Sequence, residues 1–247
     1  MRIGGIIDIL TKDIPNKSAM IIFTVGCNLK CEFCINKYLL DTSVGQEYSI
    51  NELLYKIEQN LLISSVSNTG GELTLQQDLH ELCKGIRNPD KYLSIDTNGT
   101  NPDVIQEVLP YLNRLALDLK GPRNNERMTT ITQNEVNISQ IMKIINICNE
   151  GNLDFEIYTT FIGNLMNHND IYEVLEALLN VSFRDNFVLQ QYQFSEGVGE
   201  ELKDKFEKPQ HVILIDILKP YQNIILPFKI YIRDDIIGYS EFKERIK

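Results

Sequence analysis

Long apolar runs are missing from this 247-residue sequence, and none approaches the roughly 20 residues of a membrane-spanning helix. The first residues, MRIGGIIDILTKDIPNK, hold only a short apolar run that Asp8 interrupts. They lack the apolar core and the small-residue cleavage site of a secretory signal. The sequence also has no linker, low-complexity tract or internal repeat. We therefore expect a single domain over residues 1–247, located in the cytoplasm and with no membrane partner.

Positive charge is scarce as well. The chain has 24 Lys and Arg against 34 Asp and Glu, which gives a formal net charge of −10 at pH 7. Proteins that bind nucleic acids usually carry a basic face, and no long cluster of Lys or Arg is present here. The charge balance therefore argues against a nucleic acid as partner.

The chain is also poor in ligands for a structural zinc ion. It has 3 widely separated histidines and 5 cysteines, with no second CxxC pair. An odd number of cysteines without a secretion signal argues against a disulfide framework. Cys83 and Cys148 stand alone in helical patterns and are interpreted as small buried hydrophobic residues. The other three, Cys27, Cys31 and Cys34, are crowded into the stretch GCNLKCEFC.

Strand and helix patterns alternate about six times along the chain, which predicts parallel strands joined by helical crossovers. The candidate strands cover residues 19–26, 64–72, 92–99, 113–121, 153–163, 187–194 and 228–234. The candidate helices cover residues 49–62, 75–88, 101–112, 137–151, 169–180 and 209–221. The predicted fold is an α/β fold, specifically a partial (βα)6 TIM-like barrel.

Polar clusters follow several of the predicted strands, with the sequences GCNLKCEFC, TGGE, DTNG, DLKG and TTFIG. The carboxyl ends of parallel strands converge on one rim, where α/β proteins bind their ligands. A single cluster would be an ordinary strand end, because glycine and polar residues often terminate strands. Several clusters on the same rim indicate a functional site.

Closely spaced thiolates bind soft metals or iron–sulfur clusters. A structural zinc site needs four protein ligands, which this sequence does not offer at ligand spacing. The better interpretation is that three thiolates hold a cubane cluster and that one iron of this cluster keeps an open coordination position. An open metal position indicates that a substrate or cofactor binds there. A metal-stabilised interaction module without catalytic activity stays an alternative.

The stretch GCNLKCEFC resembles the cluster motif of the radical S-adenosylmethionine (SAM) superfamily, and TGGE resembles its GGE motif. DTNG and LDLKG are similar to sequences of one branch, the glycyl-radical-enzyme activases. The segment TKDIPNKSAMIIFTVGCNLKCEFC and the later QQYQF resemble the anaerobic ribonucleotide reductase activating proteins. The resemblance covers nearly the whole chain.

The resemblance implies a radical SAM activase. Such an enzyme uses a [4Fe-4S] cluster to cleave SAM reductively to a 5′-deoxyadenosyl radical, which then generates a glycyl radical on a partner enzyme. The implied partner is anaerobic ribonucleotide reductase, and the implied electron donor is a flavodoxin or ferredoxin. A radical SAM enzyme that acts on a small molecule is the alternative.

The resemblance also assigns roles to residues of this chain. It implies that the cluster is held by Cys27, Cys31 and Cys34, and that SAM completes the open iron. The implied contacts to SAM come from the strand ends: the backbone of Phe33, Cys34 and Ile35 beside the adenine, the carbonyls of Gly70 and Gly71 toward the ammonium, Asp118 and Lys120 toward the methionine end or ribose, and Gln193 toward the nucleoside. The same set includes Glu72, Asn98 and Thr160, together with Asp96 and Thr97, where a monovalent cation is also implied.

Four of these residues have plain structural alternatives. Glu72 can simply cap the next helix. Asp96 and Asn98 can be turn residues whose side chains bond their own backbone. Lys120 can be a solvated residue at a strand end.

Three positions depart from the pattern of the family. Ile35 follows the last cysteine, where an aromatic residue or histidine is usual. Asn16 stands where glycine is expected. Tyr158 stands where activases often have arginine, so one cationic contact to SAM is in doubt and Thr160 is the candidate to contribute instead.

Overall fold

The computed structural model describes residues 1–87 and 91–244. Within these residues, ten strands belong to one sheet: β1 (Arg2–Leu10), β2 (Ala19–Thr24), β3 (Gln46–Glu47), β4 (Ser65–Gly70), β5 (Tyr92–Thr97), β6 (Arg114–Asp118), β7 (Asp154–Phe161), β8 (Asn186–Gln191), β9 (Lys229–Asp234) and β10 (Gly238–Glu241). The helices are α1 (Ile50–Gln59), α2 (Leu79–Ile86), α3 (Pro102–Val108), α4 (Asn125–Thr132), α5 (Ile138–Asn149), α6 (His168–Asn180) and α7 (His211–Leu218). None of the described helices is long and apolar enough to cross a membrane.

The strands run in the order β10-β9-β8-β7-β6-β5-β4-β2-β1-β3. From β2 through β4 to β9, every neighbouring pair is parallel. The outer strands β1, β3 and β10 are antiparallel to their neighbours. Helices connect the successive parallel strands, because parallel pairing requires a crossover. The predicted α/β class is confirmed, and pairing among the described strands leaves the sheet open between β10 and β3.

All seven predicted strands are present, while the strands β1, β3 and β10 and the helix α4 were not predicted. The segment that forms β1 contains two glycines, which weaken a strand signal, and its extended form depends on pairing with β2. The helix predicted over residues 101–112 ends at Val108, and Pro110 lies in the 3₁₀ turn that follows. The helix predicted over residues 75–88 begins at Leu79, and its last residue, Asn88, lies outside the described residues.

The sheet is buried on both faces, and successive residues of β2 show the pattern. Met20 and Ile22 belong to the main core under the helices, whereas Ala19 and Ile21 belong to a smaller apolar cluster with Ile14 on the other face. The alternation follows from the two-residue period of a strand. This smaller cluster lies at the amino-terminal end of β2, so the space at the carboxyl ends of the strands is left for polar side chains.

Candidate active site

A cavity of about 560 Å³ is bordered by the carboxyl ends of the parallel strands. Every residue that the sequence assigned to a cluster or cofactor lines it: Cys27, Cys31, Phe33, Cys34, Ile35, Gly70, Gly71, Glu72, Asp96, Thr97, Asn98, Asp118, Lys120, Thr160 and Gln193. A larger groove, of about 740 Å³, lies between α4 and α5 and contains none of these residues. The chemistry-bearing side chains therefore meet at the strand ends, as parallel topology requires.

The cysteine loop begins directly after β2. Its base is closed by a hydrogen bond from the Gly26 amide to the Leu39 carbonyl, at 2.6 Å. Within the loop, the Cys34 amide donates to the Cys31 carbonyl at 3.2 Å, which makes a tight turn between these two cysteines. Cys31 is buried, whereas Cys27 and Cys34 are half-buried. The loop thus brings three thiols to the wall of one cavity.

Charges near the thiols are arranged in a defined way. Burial raises the pKa of Cys31 to about 12, and the nearby Lys120 ammonium acts in the opposite direction. Burial also raises the pKa of Cys27. Burial alone would lower the pKa of Lys120, but the Asp118 carboxylate raises it above its ordinary value. Lys120 therefore stays cationic, with an ion pair to Asp118 and a position 5.8 Å from the centre of the Phe33 ring.

These residues fit an iron–sulfur cluster with a zwitterionic ligand better than a single metal ion. In residues 1–87 and 91–244, no three His, Cys, Asp or Glu side chains are grouped so that they would hold one metal ion. Cubane clusters are held by separate thiolates, so their ligands need not converge on one point. Beside the thiols, the buried Oδ1 atom of Asp118 has no hydrogen-bond partner among the described residues. A buried acceptor without a donor is costly, and an ammonium group of a ligand would satisfy it.

The two glycines after β4 are required by close backbone contacts. Gly70 has a φ of +116°, and a Cβ there would lie 2.5 Å from the backbone of Thr24. A Cβ on Gly71 would lie 2.0 Å from the carbonyl oxygen of Gly26. We expected these glycines to open access to a cofactor. The structure adds a second reason, because they let the β4 turn approach the start of the cysteine loop.

Glu72 connects two of the strand-end turns. Its carboxylate accepts hydrogen bonds from the Thr74 amide (3.0 Å) and hydroxyl (2.6 Å), from the Thr97 hydroxyl (2.8 Å) and from the Asn98 amide (2.7 Å). The residue is 1% exposed, and burial raises the pKa of its carboxyl despite these bonds. Glu72 caps the 3₁₀ turn Leu73–Leu75 and not the following helix α2, whose N-cap is Asp78. It also holds the DTNG turn in place.

Asn98 is both a turn residue and a neighbour of the cysteine loop. Its Oδ1 atom accepts from the Thr100 amide at 3.1 Å, which is the turn geometry expected from the sequence. Its Nδ2 atom faces Cys27 Sγ at 3.8 Å and Asn28 Oδ1 at 2.9 Å. The side chain therefore does more than close a turn.

The charged layer below the rim was missed by the sequence analysis. Arg114 contacts Asp96 at 3.4 Å and Glu156 at 3.1 Å, and Arg233 contacts the same Glu156 at 2.9 Å. Burial raises the pKa of Asp96 to about 7, against the effect of the Arg114 guanidinium. Asp96 therefore pairs with Arg114 on the neighbouring strand β6, in addition to its place at the start of the DTNG turn. Charged residues within the predicted strands were the available signal for this network.

Arg233 also explains the surroundings of Tyr158. Its guanidinium lies 5.9 Å from the centre of the Tyr158 ring and 5.2 Å from that of Tyr239. It donates to Gln190 at 3.0 Å and lines the cavity. Thus a cation from β9 stands beside the position where the family often has arginine.

The rest of the wall comes from β7, β8 and the segment that follows β8. The Thr160 hydroxyl accepts from Gln190 at 3.0 Å, and Gln193 donates to Gln191 at 3.3 Å. Phe206 packs edge-on against Phe33, with their ring centroids 6.1 Å apart. The cysteine loop is therefore supported from the side by a segment distant in sequence.

Comparison with known proteins identifies the family. The model described as the Radical SAM superfamily matches residues 21–178. A Methanocaldococcus jannaschii protein, provisionally named a glycyl-radical enzyme activating enzyme, is 31% identical over 207 residues, which are 81% of this chain and 84% of that protein. A second M. jannaschii protein with the same provisional name is 30% identical over 177 residues, 69% of this chain and 67% of that protein.

A solved structure shows the same fold. The crystal structure of Streptococcus suis SuiB bound to S-adenosylmethionine superposes with a TM-score of 0.69 at 16% identity, over 87% of this chain. The matched part is 50% of SuiB, so this chain spans half the length of that protein. The family match and the M. jannaschii relatives lead to one conclusion: the chain belongs to the radical SAM superfamily, whose enzymes use a [4Fe-4S] cluster and S-adenosylmethionine.

Proposed function

We propose that this enzyme is a glycyl-radical-enzyme activating enzyme whose partner is anaerobic ribonucleotide reductase. The proposal is carried by the relative with the activating-enzyme name, which is 31% identical over 81% of this chain. It is supported by Asp96, Thr97 and Asn98 of DTNG and by Asp118 and Lys120 of DLK, which line the same cavity as the three cysteines. The choice of ribonucleotide reductase rests on the sequence resemblance of the cysteine segment and of QQYQF.

The cysteine loop holds the cluster in this proposal. Cys27, Cys31 and Cys34 would be its three thiolate ligands, and the remaining iron position would be left for SAM. Metal binding requires deprotonated thiols, so cluster assembly must overcome the raised pKa of the buried Cys31. The cationic Lys120 favours the thiolate form, since it lies close enough to lower that pKa.

The strand ends hold SAM. The carbonyls of Gly70 and Gly71 and the unsatisfied Oδ1 of Asp118 suit its ammonium group. Lys120 suits a carboxylate, because its ammonium is a compact charge. The adenine would lie by the backbone of residues 33–35, and Thr160 and Gln193 would contact the nucleoside. Asp96 and Thr97 line the rim where a monovalent cation is proposed.

When bound, the cluster would supply the electron for reductive cleavage of SAM, and a hydrogen atom would be taken from the Cα of the partner's glycine, with methionine and 5′-deoxyadenosine as the products. The chain's own contribution is to hold the reacting carbon and to limit access of water. Burial of Cys31 and the packing of Phe206 on Phe33 serve this purpose. The electron comes from a flavodoxin or ferredoxin in this proposal, with the cytoplasm as the compartment.

The decisive experiment is anaerobic. The protein with its reconstituted cluster is reduced and mixed with SAM and anaerobic ribonucleotide reductase, and the mixture is examined by electron paramagnetic resonance (EPR) and by HPLC for 5′-deoxyadenosine. We expect a glycyl radical doublet and one 5′-deoxyadenosine per radical. A partner variant with alanine at the radical glycine is the control and should give no doublet. Cleavage of SAM without a radical on any glycyl radical enzyme would contradict the proposal.

A second candidate is a radical SAM enzyme that acts on a small molecule. The observation in its favour is the charged inner wall, where Arg233 and Asp13 line the same cavity as the cysteines. Such a wall suits a compact polar substrate. In that case SAM cleavage should be stimulated by a small molecule and indifferent to the partner protein, which the same HPLC assay measures.

A further inference from the structure

Cys27 differs from the other two loop cysteines in its hydrogen bonds. Its Sγ atom accepts from the Leu29 amide at 3.4 Å and from the Asn98 side chain at 3.8 Å. In the part of the chain that the structure describes, no hydrogen bond to Sγ of Cys31 or Cys34 is found. The three thiol sulfur atoms therefore accept unequal numbers of hydrogen bonds.

The orientation of the Asn98 amide follows from its neighbours. The backbone N–H of Thr100 can only donate, and it points at Asn98 Oδ1 from 3.1 Å. The Thr100 hydroxyl donates to the same oxygen at 2.7 Å. The NH2 group must then face the other way, toward Cys27 Sγ and Asn28 Oδ1. A flipped amide would leave a donor facing a donor, so the N–H···S contact is determined by the network.

The position of Asn98 is held as firmly as its orientation. Asn98 is only 8% exposed, and its backbone amide donates a hydrogen bond to the Glu72 carboxylate at 2.7 Å. Asn28 continues the network to the Thr100 hydroxyl at 2.7 Å. This closes a ring of three side chains beside Cys27. The donor therefore cannot move away without breaking several buried hydrogen bonds.

We propose that Asn98 is a positioning residue that sets the reduction potential of the cluster through its hydrogen bond to Cys27. The inference rests on the proposed function only in that Cys27 is taken as a cluster ligand. Reduction adds one negative charge to the cluster, and part of that charge is carried by the thiolate sulfurs. A donor to sulfur stabilises the reduced state more than the oxidised state, so it makes the potential less negative.

The expected size follows from the strength of one hydrogen bond. Loss of the bond should change the equilibrium constant for reduction on the order of tenfold, which is about 59 mV for one electron. The Leu29 amide still donates to Cys27 after this loss, so only part of the stabilisation that hydrogen bonds to Cys27 give the reduced cluster should disappear. The sign is fixed, because removing a donor disfavours the added negative charge.

The test is an EPR-monitored redox titration of the cluster-loaded protein without SAM. We expect the potential of Asn98→Ala to be more negative than that of the wild type by about 59 mV. Asn101→Ala is the matched control, because Asn101 lies in the same turn and donates to the Thr74 hydroxyl at 2.8 Å instead of to sulfur. Its potential should equal that of the wild type. An unchanged or less negative potential in Asn98→Ala would overturn the proposal.

Two further measurements test the proposal if Asn98→Ala does not take up the cluster. Asn98→Leu keeps the approximate size and adds no charge but has no donor, so its potential should also be more negative. In the wild type, ¹⁵N at the asparagine side-chain amides should give a nitrogen coupling to the reduced cluster, and its absence would refute the contact. The cubane spectrum of the wild type is recorded first, so an unchanged potential would reject the role of Asn98 without affecting the proposed activity.

Discussion

Glu72 offers the sharpest test of how the site is built. Replacement by alanine removes the acceptor for two buried backbone amides, those of Thr74 and Asn98. The Thr97 hydroxyl also loses its acceptor. Because the region is buried, water cannot easily replace the carboxylate. We expect Glu72→Ala to lower the free energy of unfolding strongly and to loosen the DTNG turn.

The magnitude follows from the two amides. A buried N–H group without an acceptor costs about 1–3 kcal/mol, so two cost about 2–6 kcal/mol. Removal of a buried carboxylate returns part of its desolvation cost, which favours the lower half of that range, about 2–4 kcal/mol. This is a large share of the roughly 5–15 kcal/mol that stabilises a typical domain. Glu72→Gln keeps one acceptor oxygen and should lie between the wild type and Glu72→Ala.

Urea denaturation followed by circular dichroism measures the loss. The matched control is Glu52→Ala, because Glu52 also accepts two capping hydrogen bonds, from Ser49 at 2.7 Å each, but on the surface. Water replaces those bonds, so the control should lose much less stability than Glu72→Ala. Equal losses in the two variants would refute the reasoning that burial makes Glu72 important.

Further predictions concern the cluster, the glycine turn and the pH dependence. Cys31→Ala should abolish the cubane absorbance and SAM cleavage, while its circular dichroism spectrum should remain that of a folded protein. Cys148→Ala should keep the absorbance and the cleavage, and retained cleavage in Cys31→Ala would refute the ligand assignment. Gly71→Ala should cost about 1–3 kcal/mol of unfolding free energy in urea, because its Cβ meets a backbone carbonyl. Gly5→Ala, with nothing within 4 Å of its Cβ, is the control and should change stability little. The folded state raises the pKa of Asp96 from 3.8 to about 7, so the stability due to this proton is complete below pH 3.8 and is lost as the pH rises through 7. Asp96→Asn should flatten this decline between pH 5 and pH 8 in urea titrations, and an unchanged slope would contradict the assignment.

The sequence predicted the strand–helix order because the parallel strands are short apolar runs with polar ends. Residues 92–99 illustrate this, since an apolar strand is followed directly by the DTNG turn, and the structure places β5 at Tyr92–Thr97. The outer antiparallel strands β1, β3 and β10 were missed because such strands are defined by the strands they pair with. Local sequence carries little information about such long-range pairing.

The candidate site was predicted as a set of residues but not as a network. All residues assigned from the motifs line one cavity, since parallel topology brings strand ends together. The roles that the structure shows for individual residues differ from those inferred from the sequence. Glu72 caps and connects turns, and Gly71 permits contact with Gly26. The interior pairing of Arg114 with Glu156 was not predicted, because it joins residues on different strands.

By itself the sequence determined the α/β class, the three-cysteine loop after the first parallel strand, and the family. These follow from local patterns, in which residue type and spacing carry the information. Only the tertiary structure decided which donors face Cys27, which carboxylate oxygen of Asp118 has no partner, and that Arg233 stands beside Tyr158. Those relations join residues far apart in the chain, and they depend on distances and burial that arise only when the sheet has formed.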